Sequence, residues 1–319
     1  MNSQHVKDIS VETSRLEKLL EARVGRQLWS KIKGVSASDI PEIVYTSFDG
    51  DLLSLSEPLK QAVLKRNLVP LNPESALGTY LVVNHHKGNK IQIIEDCFAL
   101  LTRCSHFWIM AEQPPRRGGD FFTTLSEGVL TEALYWRQEK NKEISILTPL
   151  NFEKIYVYDE VYGKIPTADL YDPAVVDLLS RRQGSLRPVF YLAAGERHAK
   201  HADWMRKAAY LHGGVPLCPY TLINEGTLTL SFDKDALGKI LSRVALALAA
   251  DDFWLFLPFH DVVNAWEKLD PDVLIELYLT KKIQPLKKVR GIYMGDADIP
   301  KYKNRQRWAM TALEQASEN

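Results

Sequence analysis

In the stretch SEGVLTEAL (126–134), Glu132 stands among Val129, Leu130, Ala133 and Leu134, which are spaced like the buried face of a helix. A carboxylate there is either the rim of that helix's solvated side or a group placed for acid–base or nucleophilic chemistry. Ser126 and Glu127 suit a helix start regardless of function, the serine as a cap and the glutamate opposite the positive end of the helix dipole. Glu127 and Gly128 form the turn into the helix, where free backbone N–H groups could receive a sugar hydroxyl; the carboxylate beside them argues against phosphate. Glu95 and Asp96 form a second acidic pair, in IQIIEDCFALL, and could equally be the solvated face of that helix. His85 and His86 fall in a loop with no third ligand nearby, which favours an exposed loop over a metal site. The three cysteines, Cys97, Cys104 and Cys218, make no CxxC pair and have no histidine at ligand spacing, which speaks against a disulfide framework and a structural zinc. No metal and no cofactor are expected.

The elements that must hold these residues belong to a chain of 319 residues, 45% hydrophobic and 25% charged, long enough for two domains and a large core. Its polar N-terminus has no apolar run of signal-peptide length, and no stretch approaches a membrane span, so a cytoplasmic location without membrane contact is expected. Forty basic residues balance forty acidic ones, giving no global pull towards nucleic acid. Two locally basic runs, 281–290 and 301–307, have little aromatic interleaving and read as solvated surface rather than a nucleic-acid or phosphate site.

An internal repeat organises the chain. PEIVYTSF resembles RPVFYLAA, NLVPLNP resembles GGVPLCP, and HFWIM resembles DFWLF. Tyr45 and Tyr191, Val69 and Val215, Pro73 and Pro219, and Trp108 and Trp254 all stand 146 positions apart. Chance similarity rarely keeps register over sixty residues, so two copies of one unit are expected. Each alternates short apolar strands with helices, which predicts α/β architecture: two tandem doubly wound, flavodoxin-like parallel-sheet units. The expected boundaries are an N-terminal helical segment (1–40), a first unit (41–157), a linker with one short helix (158–186) and a second unit (187–319). The N-terminal SRLEKLLEARVGRQLWSKI repeats Leu and Ile at helical intervals and should dock on a domain or on a protein partner.

A strand ending in Tyr and small polar residues, a second ending in VPLNP, a helix leading into HFWIM and then EGVLTE on a later helix together resemble the nucleoside 2-deoxyribosyltransferase-like superfamily. The resemblance covers roughly 41–149 and 187–294. It implies cleavage or transfer at the N-glycosidic bond of a nucleoside or nucleotide. Glu132 would be the nucleophile, trapping the oxocarbenium-like centre at C1′ by the logic of retaining glycosidases. It also implies Asp96 as an acid near the base, and Tyr45, Ser47, Pro73, Glu127 and Gly128 around the substrate.

The second copy departs from this pattern. Tyr191 matches Tyr45, but Ser242 stands where Asp96 would be, and Glu276 matches Glu132 only after a two-residue shift. An insertion, GERHAKHADW, adds Glu196, His198 and His201 near the expected crevice. One site is therefore expected to be degenerate. The competing expectation is a non-catalytic nucleotide-binding or protein-interaction module.

Overall fold

The computed structural model describes residues 6–48, 52, 55–77, 89–140, 142–149, 151–158, 160–165, 172–181, 183–195, 201–219, 234–257, 266 and 268–293. Val6–Asp8 forms a short strand (β1), followed by helices Thr13–Arg23 (α1) and Arg26–Gly34 (α2). Then come Ile43–Phe48 (β2), Ser56–Leu64 (α3), Val69–Leu71 (β3), Pro73–Leu77 (α4), Lys90–Leu101 (α5) and His106–Met110 (β4). Glu127–Lys140 (α6), Ile144–Thr148 (β5), Asn151–Val157 (β6) and Pro173–Ser180 (α7) complete the first half. The second half contains Val189–Ala193 (β7), Ala202–Leu211 (α8), Val215–Leu217 (β8), Lys234–Ala249 (α9), Asp252–Leu257 (β9), Pro271–Ile283 (α10) and Lys288–Tyr293 (β10).

The strands make two five-stranded sheets, ordered β3-β2-β4-β5-β6 and β8-β7-β9-β10-β1. In each, the first four strands are parallel and the fifth is an antiparallel edge. The α/β class expected from alternating strands and helices is thus observed, with sheets dominated by parallel pairing. β2, β7 and β9 are nearly continuous apolar runs, buried along their length, as parallel strands covered on both faces must be.

The two halves correspond bond for bond. Val69 N–H donates to Glu42 O and Val215 N–H to Pro188 O; Ser105 N–H donates to Ile43 O and Asp251 N–H to Val189 O. The turn after α3 places Asn67 at φ 56°, and the turn after α8 places Gly213 at φ 78°. Both end a helix in the left-handed region, which Gly and Asn tolerate best. Between the halves the contacts are reciprocal: α5 lies against β8, and α9 lies against β3.

Both edge strands were absent from the sequence expectation. β6 continues the first half, but β1 comes from the N-terminus and pairs with β10, Val6 opposite Ile292. The first forty residues are therefore not wholly helical. Three residues show no periodicity, and an edge strand exists only by virtue of its partner. The apolar face of α1 and α2 docks on α10. Trp29 lies 5.2 Å from the ring of Tyr278, Tyr278 Oη donates to Glu17, and Lys282 Nζ donates to Lys33 O and Val35 O. Of the two docking surfaces expected for this segment, the chain's own second half is the one used.

Candidate functional site

Side chains of a strand alternate between the faces of its sheet, so Tyr45 and Ser47 share one face of β2 while Thr46 points to the other. Tyr45 Oη donates to Glu132 Oε1 at 2.6 Å, and Ser47 Oγ donates to Glu132 Oε2 at 2.5 Å. Glu132, on α6, is 8% exposed. Burial pushes its carboxyl upward; hydrogen bonds from Ser47, Tyr45 and Cys97 pull it back, the negative charge of Glu74 adds to the rise, and the net direction is up. Burial likewise raises Tyr45 and Cys97 well above their ordinary values, so both stay protonated and serve as donors.

Thr46 faces a small cavity of about 60 Å³ shared with Ser56, Lys60, Asn72 and Ser75. Asn72 Oδ1 accepts from Ser75 N–H and so caps α4, whose first residue is Pro73. Glu127, at the start of α6, is exposed and paired with Lys90 at 2.6 Å. A Cβ on Gly128 would meet nothing within 4 Å, so the space beside the first turn of α6 is open among the described residues.

Asp96 goes elsewhere. It is 1% exposed and bonded to Arg187 Nη1 at 2.8 Å, with Gln92 Nε2 at 3.1 Å. Arg187 precedes β7, so this pair spans the two halves. Burial lifts the Asp96 carboxyl to about 6 against the opposing charge of Arg187, and Glu132 is not among the groups acting on it. The acidic neighbour of Glu132 is Glu74, which the sequence reading passed over. Its Oε2 is buried without a hydrogen-bond partner, and burial raises its carboxyl. The available signal was an acidic residue just after a proline, at the end of the strand VPL.

The second half builds the same pair from Tyr191 and Glu276, with Tyr191 Oη donating to Glu276 Oε2 at 2.8 Å. The two-residue shift in sequence is absorbed by the helix, since the glutamate reaches the same tyrosine. Ala193 replaces Ser47, and Arg243 stands where Cys97 does. Arg243, 0% exposed, donates from Nη1 to Glu276 Oε1 and Asp272 Oδ2, both at 2.7 Å. Burial raises Glu276 to about 7 despite the charge of Arg243.

The other motifs separate clearly. His85, His86, Glu196, His198 and the run 301–307 lie outside the described residues, while His201 stacks on Phe256. In the run 281–290, Lys281, Lys282 and Lys287 donate to backbone carbonyls. They tie the ends of α9 and α10 rather than presenting a free basic face. Among the described residues, no group of three His, Cys, Asp or Glu side chains could hold a metal, and no helix is long and apolar enough to cross a membrane. Compared with known proteins, the chain matches no family model, no curated protein and no solved structure.

Proposed function

We propose that this protein cleaves or transfers at the N-glycosidic bond of a nucleoside or nucleotide, with Glu132 as the nucleophile. The observation that carries the reading is the pairing of Glu132 with Tyr45 and Ser47 at the carboxyl end of β2. In an open parallel sheet that edge, beside the strand where the order reverses, is where ligands bind. In the first sheet the reversal lies between β2 and β4. Neutral donors on both carboxylate oxygens fix the orientation of the group while leaving its negative charge uncompensated. Such a charge is suited to an oxocarbenium-like centre at C1′.

The same reading takes the fold as a tandem duplication of a flavodoxin-like unit packed as a pseudo-dimer. Reciprocal contacts of α5 with β8 and of α9 with β3 support it, because an isologous interface repeats each contact with the partners exchanged. The second crevice is then the degenerate one, its glutamate neutralised by Arg243.

The test is base release, followed by chromatography over nucleosides, deoxynucleoside monophosphates and NAD, comparing wild type with Glu132→Gln. Release by the wild type and its loss in the variant are expected; identical traces would overturn the assignment. The low exposure of Glu132 favours one competitor, a nucleotide-binding module without turnover. Thermal stabilisation by a nucleotide with no product would select it.

A further inference from the structure

Resting on that reading, a second acid and its support can be placed from the packing of α4. This helix has five residues, too few to hold its own geometry. Its last carbonyls are claimed from the other half of the chain. Arg206, on α8 and 4% exposed, donates from Nε to Ala76 O at 3.3 Å and from Nη2 to Ser75 O at 3.4 Å. Asp203 holds the same guanidinium through Nη1 at 2.8 Å. A cation at a helix C-terminus satisfies carbonyls that have no intrahelical partner and opposes the dipole. β8 packs against α4 from the same side. At the other end, Asn72 fixes the start of α4 through Ser75 N–H. Glu74 lies between these two clamps, with a buried Oε2 that no described residue satisfies. A native protein rarely leaves such an atom without a partner, so an absent donor or acceptor is the natural occupant.

We propose that Glu74 is the acid that protonates the departing base at the Glu132 centre, and that Arg206 is the positioning residue by which the second half of the chain holds it there. In the first step the C1′–N bond breaks with its electron pair passing into the base. The Glu74 proton goes to a base ring nitrogen, and a Glu132 oxygen bonds to C1′. In the second step water, or a second free base, attacks C1′ and gives its proton to the Glu74 carboxylate. The C1′–O bond to Glu132 then breaks, its pair returning to the carboxylate. The second half is on this account part of the first half's site. The upward push on Glu74 from burial keeps the acid protonated further towards neutrality, as the role needs.

The experiment uses the full chain and two leaving groups: an ordinary purine nucleoside, and its N7-methylated counterpart, whose base is already cationic and needs no proton. Glu74→Gln should slow release of the ordinary base by about 100-fold or more, with kcat falling more than KM changes, and spare the methylated one. It should also remove the loss of rate at alkaline pH. Arg206→Met should reproduce that pattern, and Arg206→Lys should restore part of the rate; a purely structural defect would slow both substrates alike. If the wild type releases base and Glu74→Gln matches it on both substrates, the acid is misassigned while the function stands. If Glu74→Gln is impaired but both Arg206 variants behave as wild type, the cross-half support is overturned. If the wild type releases neither base, the functional reading itself fails and takes this one with it.

Discussion

At the end of β2, Glu132 is held by two hydroxyls and a thiol; at the end of β7, Glu276 is held by one hydroxyl and a guanidinium. Tyrosine and glutamate are shared, and the difference lies at two positions, Ser47 against Ala193 and Cys97 against Arg243. Neutral donors orient a buried carboxylate without cancelling its charge. Arg243 cancels that charge internally and draws in Asp272 as a further ligand. The comparison teaches that a repeat can preserve a site's geometry while converting its carboxylate from a reactive group into part of an ion network.

The largest expected effect separates the two glutamates. Glu132→Gln should lower base release by about a thousandfold or more, as removal of a covalent nucleophile does, whereas Glu276→Gln should leave it within about threefold; single-turnover assays of both variants measure the contrast. The reverse result would show that the second centre carries the chemistry. Next in size is Arg243→Met. Breaking a buried ion network by removing the cation leaves Glu276 and Asp272 uncompensated, at a cost of about 3–5 kcal/mol, read as a lower midpoint in urea unfolding. Stability unchanged from wild type would mean that the network contributes nothing.

Ser47→Ala gives the first centre the residue of the second. A hydrogen bond to a charged group is worth about 1.5–3 kcal/mol, so the rate should fall by roughly tenfold or more. Because the Ser47 bond favours the ionised form of Glu132, its loss should also move the acid limb of the rate profile to higher pH. A fall in rate with an unmoved limb would deny Ser47 its effect on the Glu132 charge.

A smaller effect is expected in the pH dependence of stability. Glu276 and Asp96 are raised to about 7 and about 6, above unfolded values of 4.5 and 3.8. The native state therefore holds more protons than the unfolded one across this window. Their contribution is fully present below about pH 4 and is lost as pH rises through 6 to 7. Urea midpoints between pH 4 and pH 8 should fall accordingly, and Glu276→Gln should flatten the upper part of the fall. The smallest effect belongs to Ala193→Ser, which restores a hydroxyl beside a carboxylate already paired with Arg243. Base release within about twofold of wild type is expected, and a gain well beyond that would mean that the second centre is only one hydroxyl from working.

Local pattern made much of this legible. The constant offset between the repeats, the apolar runs of β2, β7 and β9, and the helical spacing in α5, α6, α9 and α10 all follow from side-chain periodicity. That periodicity decides which face of an element meets water. The acidic residue in SEGVLTEAL was also visible, because a carboxylate interrupts an otherwise buried face. Asp96 was legible as a residue but not as a partner. Its helix could equally have turned it towards solvent or Glu132, and the packing of the two halves gave it to Arg187 instead.

The sequence by itself determined the class of fold, the twofold repetition and the identity of the tyrosine and glutamate in each half, since these depend on neighbours within one element or on a register shared by two. Tertiary structure alone decided that Val6–Asp8 closes the second sheet, that Arg243 neutralises Glu276, and that Glu74 rather than Asp96 is the acidic neighbour of Glu132. Each of these joins elements far apart in the chain. Such pairings are set by which buried charges and strand edges find one another when the whole core closes, a condition that no window of the sequence contains.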